Sequence, residues 1–100
     1  MSLFVYIGRD GPQGAELRKT VRERHLAHIA ALDAAGRIVF AGPLRDPAGE
    51  PCGSLIVFDA DDFASAQAVA EQDPYTAEGV FASVDVHGSM AVFPKAEEPG

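Results

Sequence analysis

The segment GAELRKTVRERHLAHIAALDAA, residues 14–35, has the apolar spacing of an amphipathic helix. Its large aliphatic residues recur at steps of three to five positions: Leu17, Val21, Leu26, Ile29 and Leu32. At ~100° per residue, four of them fall within about one-third of the helix circumference, and Leu26 lies at the edge of this stripe. Gly36 follows and is a favourable C-terminal cap. The pattern predicts a helix that packs one face against a core.

Short runs of β-branched and aromatic residues flank this helix on both sides. The run LFVYIG, residues 3–8, precedes it and ends at the turn residues 9–12. The runs RIVFA, residues 37–41, and SLIVF, residues 54–58, follow it and are separated by Gly42, Pro43 and a polar loop at residues 46–53. Such runs, bounded by Gly, Pro and Asp, are typical of strands.

A second helix and a last strand complete the pattern. Residues 59–62 offer several aspartate N-caps, and the apolar residues that follow at helical spacing are Phe63, Ala66, Val69 and Ala70. The helix should end near Gln72, because Pro74 disfavours helical geometry at Asp73. In residues 80–86, Val80, Ala82, Val84 and Val86 alternate with Phe81, Ser83 and Asp85, which predicts a strand. Residues 90–93 either continue this strand or pair with another one.

The predicted order of elements is βαββαβ. This order is that of a ferredoxin-like α+β sandwich, in which two helices cover one face of an antiparallel sheet. The 100 residues are enough for one domain, which we assign to residues 1–94, with a flexible tail at residues 95–100. The second sheet face lacks a cover, and pairing it with the same face of another copy predicts a homodimer built around stacked sheets.

The composition narrows the classes of partner. A net charge of −7 with eight basic residues argues against a nucleic-acid partner, because that affinity depends on clustered Lys and Arg. The basic residues on the first helix, Arg18, Lys19, Arg22 and Arg24, are interpreted as a solvated face near Glu16 and Glu23, with an anion site as the alternative. No run reaches the ~20 apolar residues of a membrane span, and no signal peptide is recognisable, so we expect a cytoplasmic protein without a membrane partner.

Metal and cofactor sites have little support in the sequence. Cys52 is the single cysteine, which excludes a disulfide within the chain and a thiolate cluster. His25 and His28 are three positions apart, but the sequence has no H-E-x-x-H motif and no Gly-rich phosphate-binding loop. We therefore expect no metal and no cofactor. His87, where the last strand breaks, is interpreted as a surface residue.

His25 is the residue in the first helix that the hydrophobic pattern does not explain. With Leu17 at zero, His25 lies near 80° at ~100° per residue, in the middle of the apolar stripe, whereas His28 lies near 20° at its edge. A buried imidazole must satisfy both ring nitrogens. Two interpretations remain open: a core histidine bonded to a backbone carbonyl, or a general acid or base that a carboxylate orients.

Asp73 is the carboxylate best placed to be that partner. It follows the second helix in Asp73-Pro74-Tyr75, where the proline restricts the backbone and an aromatic hydroxyl lies nearby. Aspartate before proline is also a common turn or N-cap residue, here for a short helix at residues 74–78. From the residues alone, both roles are open.

Three sequence blocks resemble the YciI-like, or YCII-related, family. They are R-x-x-H-L-A at residues 22–27, G-R-I-V-F-A-G-P at residues 36–43 and D-P-Y-x-x-x-G-V-F at residues 73–81. The resemblance covers nearly the whole chain up to about residue 93. Many relatives have a proline where this sequence has Glu23, which indicates that the helix begins a turn or more earlier here.

The resemblance implies a ferredoxin-like fold of the dimeric α/β barrel type, similar in architecture to muconolactone isomerases. It also implies a pair of His25 and Asp73 in a pocket of each subunit. The role of the family is largely unassigned, and a few members resemble ring-opening isomerases or dehydrochlorinases that act on aromatic breakdown products.

The working hypothesis is a small acid/base enzyme of the lyase or isomerase type, without a cofactor, that acts on a small organic acid or a hydroxylated ring. His25 would move a proton and Asp73 would orient it, while Arg22, Ser54 and Tyr75 would bind the substrate. The alternative is a non-catalytic module for ligand binding or assembly, in which the His-Asp pair is structural. A ring nitrogen of His25 open to a cavity would favour the enzyme.

Overall fold

The computed structural model describes residues 2–95, which form four strands and three helices. In chain order these described elements are β1 (Ser2–Asp10), α1 (Gly14–Ala34), β2 (Ile38–Arg45), β3 (Pro51–Ala60), α2 (Phe63–Gln72), α3 (Pro74–Ala77) and β4 (Phe81–Ser89). The long apolar stripe produces α1, and Asp62 caps α2 by accepting a hydrogen bond from the Ser65 backbone N–H. The six elements of the predicted βαββαβ order are all present.

The strands form one antiparallel sheet in the order β2-β3-β1-β4. This arrangement is the ferredoxin-like α+β fold that the βαββαβ pattern predicts. The two central strands bury every second residue under the helices: Phe4, Tyr6 and Gly8 on β1, and Ser54, Ile56, Phe58 and Ala60 on β3. Their other residues form the opposite sheet face, which no helix of residues 2–95 covers. The fold therefore has two unlike sheet faces.

Two hydrophobic clusters lie between the sheet and the helices. The larger one joins the central strands to α2: Phe4, Tyr6, Ile56, Phe58, Ala60, Ala66 and Ala70. The smaller one joins α1 to the segment around α3: Val21, Tyr75, Val80 and Phe81. The predicted stripe of α1 faces this layer, with Val21, His25 and Leu32 buried and with Leu17 and Ile29 packed at its margin. The placement of His25 in the stripe is thus confirmed.

The second and third strands are longer than the sequence predicts. β2 runs through Gly42 and Pro43 to Arg45, and β3 begins at Pro51, inside the predicted loop. Pro43 interrupts the apolar pattern but not the strand, because β2 is an edge strand and tolerates a residue without an N–H. Residues 90–93 form no strand, so the predicted continuation there is wrong.

A register shift corrects the predicted faces of the last strand. Arg9 pairs with Ser83, but Asp10 pairs with Phe81, so Ala82 is an extra residue in β4. The bulge turns Phe81 into the smaller hydrophobic cluster and leaves Ala82 exposed, whereas strict alternation predicts the reverse. Val84 and Val86 lie on the helix side as expected.

Residues 96–100 of the predicted tail lie outside the described residues, and Lys95 is exposed. Among the helices within residues 2–95, none has the length and apolar character needed to cross a membrane.

Candidate active site

Asp73 occupies the junction between α2 and α3. Its backbone is extended, with φ −62° and ψ 123°, because Pro74 follows and starts the next helix. Its Oδ1 accepts the Tyr75 backbone N–H at 2.9 Å, so it caps α3 as one of its two sequence interpretations predicts. The side chain has no exposed surface. A carboxylate buried to this degree needs further donors.

His25 supplies one of these donors from α1. Its Nδ1 lies 2.7 Å from Oδ1 of Asp73, and since a carboxylate only accepts, the ring donates through Nδ1–H. This bond fixes the tautomer and leaves Nε2 able to accept a proton. Asp73 is therefore both a helix cap and the partner of His25, two roles that the sequence could not separate.

Tyr6 on β1 supplies a further donor, which the sequence analysis missed. Its hydroxyl donates to Oδ2 of Asp73 at 2.8 Å, and the side chain is fully buried. Burial, together with the neighbouring carboxylate, raises the pKa of Tyr6 far above its usual value, so the hydroxyl keeps its proton. A tyrosine on the buried face of a strand needs a hydrogen-bond partner, and this requirement was a usable signal.

Tyr75 packs flat against the His25 ring. The two ring centroids are 3.8 Å apart and the planes differ by 4°, while Phe81 contacts the Tyr75 ring edge-on at 5.5 Å. Burial raises the pKa of Tyr75, and the charges of Arg18 and Arg22 oppose this rise. The stacking therefore holds the plane of the His25 ring in one orientation.

The position of Arg18 contradicts the interpretation of the basic residues as a solvated face. Its guanidinium forms two hydrogen bonds with Asp10, at 2.7 and 2.9 Å, and a third with the Gly53 carbonyl at 3.0 Å. It also lies 4.8 Å from the centre of the Tyr75 ring, and its side chain is only 14% exposed. The helical count that placed His25 near 80° puts Arg18 near 100°, inside the stripe, so its position was predictable.

The other basic residues of the helix fit the solvated interpretation better. Lys19 pairs with Glu16 at 3.0 Å in an exposed contact, and Arg24 pairs with Glu78 rather than with Glu23. The Arg22 guanidinium makes no hydrogen bond with a side chain or carbonyl of residues 2–95, although Arg22 lines the cavity described next. Its positive charge is available to a ligand.

A cavity of about 280 Å³ lies between α1 and the β2–β3 edge of the sheet. The predicted residues Arg22, His25, Ser54 and Tyr75 line it, together with Arg18. Apolar walls complete it: Leu26, Ile29, Ala41, Pro43 and Ile56. Asp73 is not in the wall and acts from behind His25. The structure therefore brings the five predicted residues into one region.

The Nε2 atom of His25 has no hydrogen-bond partner among the side chains and carbonyls of residues 2–95. Only Nδ1 is engaged by the protein, and the ring borders the cavity. A proton acceptor beside a partly apolar cavity, held by a carboxylate on its far side, is an arrangement suited to general acid/base catalysis.

The remaining histidines lie apart from this cavity. The Nε2–H of His28 donates to the Val69 carbonyl at 3.0 Å, and His87 is exposed on β4. Within the described part of the chain, no three His, Cys, Asp or Glu residues are grouped so that they could hold a metal ion.

Comparisons with known proteins identify the family of this chain and agree with its fold. The profile of the YCII-related domain family matches residues 2–88. Protein YciI of Escherichia coli O6:H1 is 36% identical over 97 residues, which cover 91% of this chain and 99% of that protein. An uncharacterized protein of Haemophilus influenzae is 35% identical over 98 residues, which cover 90% and 98% of the two chains.

A solved structure extends the comparison to an enzyme. The 5-chloro-2-hydroxyhydroquinone dehydrochlorinase of Burkholderia phenoliruptrix, in complex with 2,5-dihydroxybenzoquinone, is 27% identical and superposes with a TM-score of 0.75. The match covers 85% of this chain and 90% of the dehydrochlorinase. The profile match over most of the chain and the identity to the curated relatives together show that the chain belongs to the YCII-related domain family.

Proposed function

We propose that the protein is a cofactor-independent acid/base enzyme of the lyase or isomerase type, acting on a small organic acid or a hydroxylated aromatic breakdown product. The observation that carries the proposal is the His25–Asp73 pair, 2.7 Å apart, whose unused ring nitrogen borders a cavity. This observation also favours the enzyme over the non-catalytic module, for which both nitrogens would be satisfied by protein.

The proposed chemistry is a proton transfer through Nε2 of His25. Nε2 removes a proton from a substrate O–H or C–H, and the imidazolium that forms is stabilised by Asp73. Return of the proton at another position gives an isomerisation, whereas departure of a leaving group with its electron pair gives an elimination. A positioned general acid or base contributes about 10²- to 10⁴-fold in rate.

The cavity has the size and polarity for a single substituted ring. A cavity of about 150 Å³ is enough for benzene in another protein, so 280 Å³ accommodates one ring with several oxygen substituents. Arg22 would bind a carboxylate or an ionised hydroxyl, and Ser54 and Tyr75 would donate or accept hydrogen bonds. The mixture of apolar walls and a few polar groups is typical of small-molecule sites.

The dehydrochlorinase supports an aromatic substrate for the proposed enzyme. That protein acts on a chlorinated hydroxyhydroquinone and was solved with a dihydroxylated quinone bound. Its fold and its length agree with those of this chain, and the proposed proton transfer suits ring hydroxyls of the same kind. A hydroxylated ring is therefore the first substrate class to test.

The test is a screen of the purified protein against hydroxylated aromatic acids and quinones, first by thermal shift and then by turnover. A ligand at 100 times its dissociation constant stabilises the folded state by about 2.7 kcal/mol. His25→Asn should retain the fold and lose the turnover of any substrate found. His28→Gln is the matched control, since His28 lies on the same helix but contacts Val69 instead of the cavity.

Turnover that persists in His25→Asn with wild-type kcat would refute the role of His25. Ligands that bind at the cavity without any turnover would identify the protein as a binding module instead.

The open sheet face supports a homodimer as the working assembly. Val5 and Val57 pair directly across the central strands on the face without helices, beside Ile7 and Leu55. Phe40 on the neighbouring edge strand is 54% exposed. A second copy that presents the same face would bury these side chains around a two-fold axis, because a two-fold interface uses the same patch twice.

A further inference from the structure

The Asp73 carboxylate is held by three donors from three different parts of the fold. Oδ1 accepts from the Tyr75 backbone N–H at 2.9 Å and from the His25 ring at 2.7 Å. Among the donors within residues 2–95, Oδ2 accepts only from the Tyr6 hydroxyl, at 2.8 Å. We infer that Tyr6 is a positioning residue for the proposed acid/base site: its hydroxyl fixes the plane of the Asp73 carboxylate and sets how much negative charge reaches His25.

The first part of this inference concerns orientation. The bonds from Tyr75 and His25 both engage Oδ1, and they leave the carboxylate some freedom to rock about the Cβ–Cγ bond of Asp73. The bond from Tyr6 removes this freedom, because it engages the other oxygen from the central strand of the sheet. Oδ1 then points steadily at Nδ1 of His25, and a catalytic group is effective only when its partner holds it within a narrow range of geometry.

The second part concerns charge. A hydrogen bond to a carboxylate withdraws negative charge from it, and such bonds are stronger when they are buried. The Tyr6 hydroxyl stays protonated because burial raises its pKa well above the usual value. Tyr6 therefore donates to Asp73 at neutral pH. Without it, Asp73 becomes a stronger acceptor and attracts the Nδ1 proton of His25 more strongly.

A purely packing role does not explain the hydroxyl. The Tyr6 ring already packs edge-on against Phe58, with the ring centroids 5.7 Å apart. A phenylalanine would fill the same space without the cost of burying a hydroxyl. The hydroxyl is thus explained by what it contacts, which is Asp73.

The experiment is Tyr6→Phe, followed by proton NMR of the Nδ1–H of His25. A hydrogen bond of 2.7 Å to a carboxylate places this resonance downfield of the amide protons, where it can be assigned by its absence in His25→Asn. We expect the resonance to move further downfield in Tyr6→Phe, because Asp73 becomes the stronger acceptor. An unchanged resonance in a folded Tyr6→Phe protein would overturn the inference.

A double variant tests whether the effect passes through Asp73. In Asp73→Asn the carboxylate is absent, so adding Tyr6→Phe should leave the His25 ring signals where Asp73→Asn alone puts them. A further change in the double variant would mean that Tyr6 acts on His25 by another route, and would contradict the inference.

A second measurement does not need the Tyr6→Phe protein to fold. The chain has two tyrosines, so Tyr75→Phe grown with 3-fluorotyrosine carries the label at position 6 alone. Fluorine makes the phenol a stronger donor, and the Nδ1–H resonance should move upfield relative to unlabelled Tyr75→Phe. No movement would again overturn the inference.

The inference deepens the proposed function and rests on it, but the two can fail separately. The NMR shifts are read without any substrate, so they test Tyr6 even if no turnover is found. If the shifts occur and no ligand in the screen is converted, the proposed function fails while the charge relation between Tyr6 and Asp73 holds.

Discussion

Arg18 and Arg22 lie one turn apart on α1 and border the same cavity, yet their environments differ. Arg18 is tied to Asp10 and to the Gly53 carbonyl, so its charge is already balanced within the fold. The Asp10 bond also raises the pKa of Arg18, which keeps it charged. Arg22 has no such bond among residues 2–95. One arginine therefore belongs to the framework of the site and the other is free for a ligand.

Exchanging each arginine for glutamine should separate these roles. Arg18→Gln leaves the Asp10 carboxylate, 9% exposed, without its ion pair, and should lower the free energy of unfolding by roughly 2–3 kcal/mol. Arg22→Gln should change it by less than about 0.5 kcal/mol. Urea denaturation measures the free energy of unfolding of both variants.

Arg22→Gln should instead weaken the binding of an anionic ring. If Arg22 pairs with a ligand carboxylate, benzoate should bind roughly 10- to 150-fold more weakly, since a charge-assisted hydrogen bond contributes about 1.5–3 kcal/mol. Benzyl alcohol, which has no charge, is the control and should bind equally to both proteins. Equal weakening of both ligands would show that Arg22 shapes the cavity rather than binding a charge.

How far the site could be predicted differs from residue to residue. His25 was identifiable because a histidine within an apolar stripe is a local contradiction, and Asp73 because a proline marks its turn. The same helical count could have placed Arg18 within the apolar stripe. The buried tyrosine at position 6 indicated that a partner was needed, but that partner was beyond local patterns, because Asp73 is 67 positions away in the chain.

At the scale of elements, the ends of α2 are set by short-range chemistry that the sequence displays. Asp62 at the N-terminus accepts the Ser65 backbone N–H at 2.7 Å, and Pro74 stops the helix after Gln72. The bulge in β4 is different, because it depends on the pairing of Asp10 with Phe81 across two strands. Helix ends that depend on neighbouring residues in the chain were predictable, whereas the register between paired strands was not.

The cap at Asp62 leads to a prediction about pH. The Ser65 hydrogen bonds lower the pKa of Asp62 below its usual value, so the folded state holds this proton less tightly than the unfolded state. Its stabilising contribution is therefore present above the unfolded-state pKa of about 3.9 and is lost as the pH falls through the lower folded value. The Asp62→Ala variant should be less stable than the wild type at pH 7. This difference in stability should disappear in strong acid.

Asp62→Asn is the matched control for this effect. Asparagine is also a good N-cap but carries no charge, so its stability should follow the wild type more closely at pH 7 and lack the acid dependence. Thermal unfolding measures the stability of all three proteins between about pH 2 and pH 7, a range that spans the carboxylate pKa values. A deficit in Asp62→Ala that is the same at every pH would contradict the assigned cause.

At the scale of the whole molecule, the helices cover one face of the sheet and leave the apolar residues of the other face uncovered. The sequence predicts that one sheet face lacks a cover, but the continuous apolar runs of β1 and β3 do not assign their residues to the two faces. The sequence also could not show that β2 continues past Pro43 and so extends this face to the edge strand. The proposed dimer accounts for the uncovered residues, because a chain of this size gains stability when it buries a second apolar surface.

A charge placed at the centre of this face tests the dimer. Val57 lies between Val5 on one side and Phe40 on the other, so Val57→Glu would place a carboxylate and its symmetry mate against apolar side chains at the two-fold axis. Light scattering should give the mass of two chains for the wild type and of one chain for Val57→Glu. Ala64→Glu is the control, because it adds the same charge at an exposed position of α2, in the helix layer, and should remain dimeric. A wild type that scatters as a single chain at all concentrations would refute the dimer, and a dimeric Val57→Glu would place the interface on a different surface.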